Sequence, residues 1–378
     1  MASNKPLPFV FGQKSTNDLK FTLHCPQCSP PPPIVIDEDG DLTLQAGEFR
    51  CNHISRDTPG KPGEGEVAYG SFRVCPKTLS RASPVMKKML YGGFAESKKS
   101  DNQPWTVHLP EDNAGALETI LNIIHLRFDR VSSSVVTLDH LYNVTVLTDK
   151  YELTRMLQPW VGEWRQRILN VDKSHWVESL CDSGYYEKRL WIAWELGDLK
   201  DFADVLEWIA SHTNISSSGG LMRPRVSTFA EEWFHDLTDP PGVYEIVSST
   251  RLRIIEHLLR SLDVSVNNLI CGKSMDLYCR SGSLVCSAAI LGSVIQSLAR
   301  AKLWPIPQPS NYDRSPSALL ESMKNLSIIW PCAKAHCRDI NLSRLQHPTV
   351  DMSPKLTDMH KRHCSEQAKK SGIAQLTG

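Results

Sequence analysis

The side chains in this sequence whose types and spacing suit chemistry are thiols and imidazoles. His24-Cys25-Pro-Gln-Cys28 has the spacing of half a tetrahedral zinc site, and Cys51 with His53 supplies further donors of suitable softness. A zinc ion there would staple the leader to the first strand. The alternative is an unliganded thiol pair, because no second Cys-x-x-Cys accompanies it. Cys332, His336 and Cys337, with His360, His363 and Cys364, form a second group open to the same two readings. Gly272-Lys273-Ser274 has the ending of a phosphate-binding loop, but Asn267 occupies the place of the earlier glycine and a helix, not a strand, precedes it. No Gly-x-Ser-x-Gly elbow is present, and the 13 histidines form no recognisable catalytic pairing with cysteine. The expectation is a chain that works by binding, without catalysis or a cofactor.

The composition narrows what is bound. Lys plus Arg total 42 and Asp plus Glu total 42, so no net charge attracts a nucleic-acid backbone or an anionic membrane over long range. The partners expected are proteins, with no direct nucleic-acid contact and no membrane. The longest apolar stretch, Leu284 to Ile295, is interrupted and shorter than the roughly 20 residues of a bilayer span. The N-terminus lacks the basic segment and apolar core of a signal peptide, and eleven cysteines, an odd number spread over the chain, fit a reducing compartment. Cytoplasm or nucleus is expected, with Asn143-Val-Thr145 and Asn214-Ile-Ser216 unglycosylated.

Elements that could position binding residues are legible from periodicity. Residues 1–40, with the run Pro30 to Pro33 and the acidic Asp37-Glu38-Asp39, read as a disordered leader. Leu42, Leu44 and Ala46 alternate with polar residues as in a half-buried strand, and Phe72 and Val74 form a second strand across a Gly- and Pro-rich loop from Asn52 to Gly70. Ser83-Pro84 starts a helix whose buried stripe is Val85, Met86, Met89 and Leu90, and Gly92-Gly93 ends it. Trp105, Val107 and Leu109 make a third strand; Leu117 to Phe128 is helical, as are 138–151, capped by Thr137, and 153–168, kinked or divided at Pro159. Beyond residue 170 strand patterns nearly vanish. The longest helical stripe runs from Val243 to Leu262, and Ser211 to Pro224 separates two helical groups.

The order strand, strand, capped helix, strand, helix, helix resembles a BTB/POZ domain. The words match too, in Asp41-Leu-Thr-Leu44, Phe72-Arg-Val-Cys-Pro-Lys-Thr-Leu79, Ser83-Pro84-Val85-Met86, Gly93-Phe-Ala-Glu-Ser97 and Leu109-Pro-Glu-Asp112. Ile120-Leu-Asn-Ile-Ile-His125, Leu147-Thr-Asp-Lys-Tyr151, Leu190-Trp-Ile-Ala-Trp-Glu-Leu-Gly197 and Gln367-Ala-Lys-Lys370 are similar to an uncharacterised fungal branch of the family. The resemblance implies an α+β fold. In it a BTB/POZ domain over 41–165, a small mixed sheet flanked by a helical cluster, is followed by a mostly α-helical region over 166–364 and a tail over 365–378.

The function implied is protein–protein interaction. Self-association as a homodimer would use the helix carrying Met86, Met89 and Leu90 and the strand starting at Asp41. Phe94-Ala-Glu96 matches the hydrophobic-x-acidic motif with which family members that serve as substrate adaptors of ubiquitin ligases engage a cullin scaffold. An aromatic anchor beside a carboxylate suits a hot spot, because it joins apolar area to a charge that fixes register. The other reading of Phe94 is closure of the core behind Gly92-Gly93. A transcription-linked interaction protein is the alternative function. The charged pocket of repressor-type members needs a basic residue where this chain has Pro76, with Lys77 one position away.

Overall fold

The computed structural model describes residues 30–49, 69–98, 104–131, 137–169, 184–224, 231–235, 237–271, 284–329 and 348–373. Cys25, Cys28, Cys51, His53, Gly272-Lys273-Ser274, Cys332, His336, Cys337 and most of the Asn52 to Gly70 loop lie outside these residues.

Four strands form one sheet: β1 (Ile34–Val35), β2 (Leu42–Ala46), β3 (Gly70–Val74) and β4 (Trp105–Leu109), in the order β1-β3-β2-β4. The alternation in β2 sends Leu42, Leu44 and Ala46 into the core. β3 pairs antiparallel to β2 with Leu42 opposite Val74, and β4 pairs parallel to it with Leu42 opposite Trp105. β1 lies parallel to β3, Ile36 behind it is buried, and the Arg127 guanidinium donates to the Val35 carbonyl at 2.7 Å. β1 and buried Ile36 therefore lie inside the stretch 1–40 read as a disordered leader, ahead of Asp41. A two-residue strand carries no periodicity to read.

The parallel pairing of β2 and β4 needs a crossover, and two helices supply it: α1 (Pro76–Ala82) and α2 (Pro84–Tyr91). α3 (Ala114–Ile124) is capped by the Asn113 side chain, and α4 (Leu138–Lys150) by Thr137, which accepts from His140 N at 3.1 Å. A 3-10 turn, Thr154–Leu157, leads into α5 (Gln158–Leu169). Pro159 thus sits in the first turn of α5, where a missing N–H breaks no bond, so it starts this helix without kinking it.

The rest is mainly helical: α6 (Tyr185–Leu196), α7 (Leu199–His212), a hairpin of β5 (Asn214–Ile215) and β6 (Leu221–Met222), α8 (Val243–Cys271), α9 (Leu284–Arg300), α10 (Pro316–Lys324) and α11 (Asp358–Ser371). One hydrophobic core runs without a seam from Ile36 through α4 and α6 to Val247, and Cys364 and Ile373 close it. Residue 165 is therefore no boundary in packing, and the 365–378 tail of the sequence reading contains the end of a docked helix. A second core joins Ile254 to Val266 of α8 with Ile290, Val294 and Leu298 of α9 and Leu319 and Met323 of α10. Between the two cores the buried Arg251 guanidinium donates to the carbonyls of Thr213, Tyr312 and Arg314. Burial there pulls the guanidinium down to about 10.

Candidate protein-docking surface

The turn after α2 is built from its anchors upward. Ser83 fixes the start of the helix twice: its hydroxyl oxygen accepts from Met86 N at 3.0 Å, and its hydroxyl donates to the Tyr151 carbonyl at 2.7 Å. Tyr151 in turn donates its phenol to buried Asp112, which also pairs with Lys150 at 2.6 Å. Pro84 follows the cap with its dihedral already helical. Met86 and Leu90, one turn apart, are fully buried in the chain's own core.

The far end is equally constrained. Gly92 N–H donates to Lys88 O at 2.8 Å, and Gly93 takes φ +81° in open space, a conformation with no steric penalty for glycine. The Ser97 hydroxyl donates to the Met89 carbonyl and accepts from Gly93 N, both at 3.1 Å. The indole N–H of Trp105 on β4 donates to the Glu96 carbonyl at 2.8 Å. Held between helix end and sheet, the turn presents Tyr91 at 50% and Phe94 at 51% exposure. Trp105 meets the Tyr91 ring edge-on, with centroids 6.1 Å apart, and the Lys98 ammonium stands 5.6 Å over the Trp105 ring.

Lys98 also pairs with Asp41 at 2.7 Å, both side chains more than half exposed, a pair that contributes little stability but places both charges at the rim. Burial, then the Asp41 carboxylate, pushes the Tyr91 phenol upward, so it stays a neutral hydrogen-bond donor. The patch is an apolar pair bordered by Glu96, Lys98 and Asp41, suited to contact with another protein.

The six sequence-derived residues divide accordingly. Phe94 and Glu96 share the turn, and Phe94 is exposed, so it does not close the core. Met86 and Leu90 are a correction: as core residues they cannot touch a partner. Met89 packs partly against the core. Asp41 is a surface residue paired with Lys98. Pro76 is buried at the start of α1 and Lys77 is exposed. Tyr91 and Lys98 complete the surface over the buried Trp105, and neither was singled out from the sequence. Tyr91 could have been found as the aromatic directly before Gly92-Gly93 that lies off the helix's apolar stripe.

Of the second thiol and imidazole group, only His360, His363 and Cys364 are among the described residues, and their contacts are with protein groups. The His360 ring nitrogens engage Thr357 and the Pro241 carbonyl, the latter at 2.8 Å, while His363 stacks on Trp194 with centroids 3.6 Å apart and planes 5° from parallel. Among the described residues no group of three or more His, Cys, Asp or Glu is placed to hold a metal, and no helix is long and apolar enough to cross a membrane. Neither a family model, a curated protein nor a solved structure matches this chain.

Proposed function

We propose that the chain is a protein-interaction module of BTB/POZ type that seats a cullin scaffold on the turn after α2 and so acts as a substrate adaptor of a ubiquitin ligase. The observation that carries this reading is the turn itself: Phe94, half exposed, sits two residues before Glu96 in a turn that Ser97 ties to Met89 and Trp105 ties to Glu96. A stiff aromatic anchor loses little conformational entropy on binding, and the adjacent carboxylate sets register. The element order β2, β3, α1, α2, β4, α3, α4, with Ser83 capping α2, supports the family assignment. Self-association through the same face belongs to this reading and falls to Met89 and Tyr91, because Met86 and Leu90 are committed to the core.

The test uses the full chain with Phe94→Ala and Glu96→Lys. Truncating an exposed ring removes interface area and little core, so thermal stability should move by less than about 0.5 kcal/mol while binding of a purified cullin weakens by at least about tenfold. Glu96→Lys should leave the fold intact and weaken the same complex through an unpaired or like charge. Wild-type protein that binds no cullin retires the adaptor reading, and destabilisation of about 3 kcal/mol by Phe94→Ala would place the ring in the core after all.

A further inference from the structure

The C-terminal helix α11 is docked by polar residues. Its buried stripe, at helical intervals of four, three and four, is His360, Cys364, Gln367 and Ser371, where a core helix ordinarily presents Leu or Ile. Gln367 Nε2 donates to Glu195 Oε2 at 2.7 Å, and the Ser371 hydroxyl donates to the Leu196 carbonyl at 2.6 Å. Gln367 Oε1 is buried without a partner. Gly197, at φ +79°, lies so close to the backbone of Cys364 and Ala368 that a Cβ would collide with it. An element held this way gains little from apolar burial, so its local opening depends on a few bonds.

Those bonds converge on one carboxyl. Glu195 of α6 is fully buried, accepts from the Thr154 hydroxyl and faces the Thr148 hydroxyl at 3.4 Å. Among the described residues it forms no ion pair with Lys or Arg. The charged groups that act on it are Asp149 at the end of α4 and Lys370 on α11; Glu152 acts in turn on Asp149, and on α11 both Lys370 and Glu366 act on His363. Burial chiefly, with Asp149 adding to it against Thr154, Lys370 and Thr148, holds the Glu195 carboxyl at about 8.

We propose that α11 is an acid-tightened clasp, docked on α6 while Glu195 keeps its proton and released as Glu195 gives that proton to water. The released helix would leave Glu195 hydrated and free to ionise near the ordinary 4.5. The docked state thus holds a proton that the open state loses, and docking weakens as pH rises from about 4.5 to about 8, then levels off. His363 has the opposite sign: burial, then Lys370, lowers it from 6.5, so the open state takes up a proton first and docking weakens below that pH. Cys364, pushed up to about 11 by burial and Asp198, acts with the sign of Glu195 only above 9. Asp149, raised by burial, reinforces Glu195 toward the acid end. From pH 6.5 to 8 Glu195 therefore acts with least opposition, and opening should rise by about 15-fold across that window, the slope easing toward pH 8.

Hydrogen exchange read by mass spectrometry on the full chain tests this, with rates corrected for the intrinsic pH dependence of exchange. The opening constant of α11 amides should rise by about eightfold between pH 6.5 and 7.5 and about twofold more by pH 8, while α3 in the sheet-bearing core stays level. Glu195→Gln, a neutral isostere that keeps a partner for Gln367, should hold α11 protected and abolish the slope. A flat wild-type profile, a slope that survives in Glu195→Gln, or α3 opening in parallel with α11 would overturn the clasp. If Glu195→Gln does not fold, the wild-type contrast between α11 and α3 alone decides.

Discussion

Ser83 shows how much one hydroxyl can fix. It caps α2 through Met86 N and donates to the Tyr151 carbonyl from a fully buried position. Ser83→Ala removes the cap and strands that carbonyl, so a loss of about 2 kcal/mol is expected as a lower urea midpoint with unchanged slope. A change below about 0.5 kcal/mol would mean that one of the two bonds is absent in solution. The cap was legible in the sequence because Ser-Pro before an apolar stripe is a local signal; the bond to Tyr151 was not, because 68 residues separate the partners. Phe94 teaches the same lesson. Gly92-Gly93 marks where the helix stops, but whether the next aromatic turns inward or outward is decided by Ser97 folding back on Met89 and by Trp105 reaching across from β4. Met86 and Leu90 were correctly read as a buried stripe, and the burial that makes them legible also removes them from any interface.

At the scale of elements, the long periodic ones were legible and the short or polar ones were not. β2, β3, β4, α2 and the long stripe of α8 follow their apolar spacing, whereas β1 has two residues and α1 buries only Pro76 and Leu79, too few to set a period. α11 escaped for a different reason: its stripe is helical but composed of His, Cys, Gln and Ser, which a hydrophobicity pattern passes over. That chemistry makes α11 sensitive to a single methyl group on the helix it meets. Gly197→Ala would force a left-handed φ on alanine, costing about 1–2 kcal/mol, and drive its Cβ into the α11 backbone. The expected result is rapid hydrogen exchange over 358–371 at every pH, with α3 still protected. Continued protection of α11 would show that the close approach at Gly197 is not what seats the helix.

For the whole molecule the consequence is one of partition. The family resemblance placed a boundary near 165, yet α4 and α6 share a single core, and Thr148 of α4 faces Glu195 of α6 inside it. A chain stopped after residue 169 would leave the α4 face bared where α6 packs, so it should melt without a cooperative transition or associate, in contrast to the full chain. A sharp full-length-like melt from that fragment would restore the boundary. Residue types along the chain cannot reveal such a seam, because continuity of a core is a property of contacts between distant segments. Phe94 and Glu96 nonetheless sit on the turn between α2 and β4, which gives the central claim a direct test. With a photo-activatable benzophenone side chain at position 94 of the full-length protein in its native cell, irradiation should join the chain to a cullin, identified by mass spectrometry, and Glu96→Lys should suppress that adduct. Irradiation that yields no cullin adduct at position 94, from a protein that is folded and expressed at the wild-type level, would contradict the proposed function.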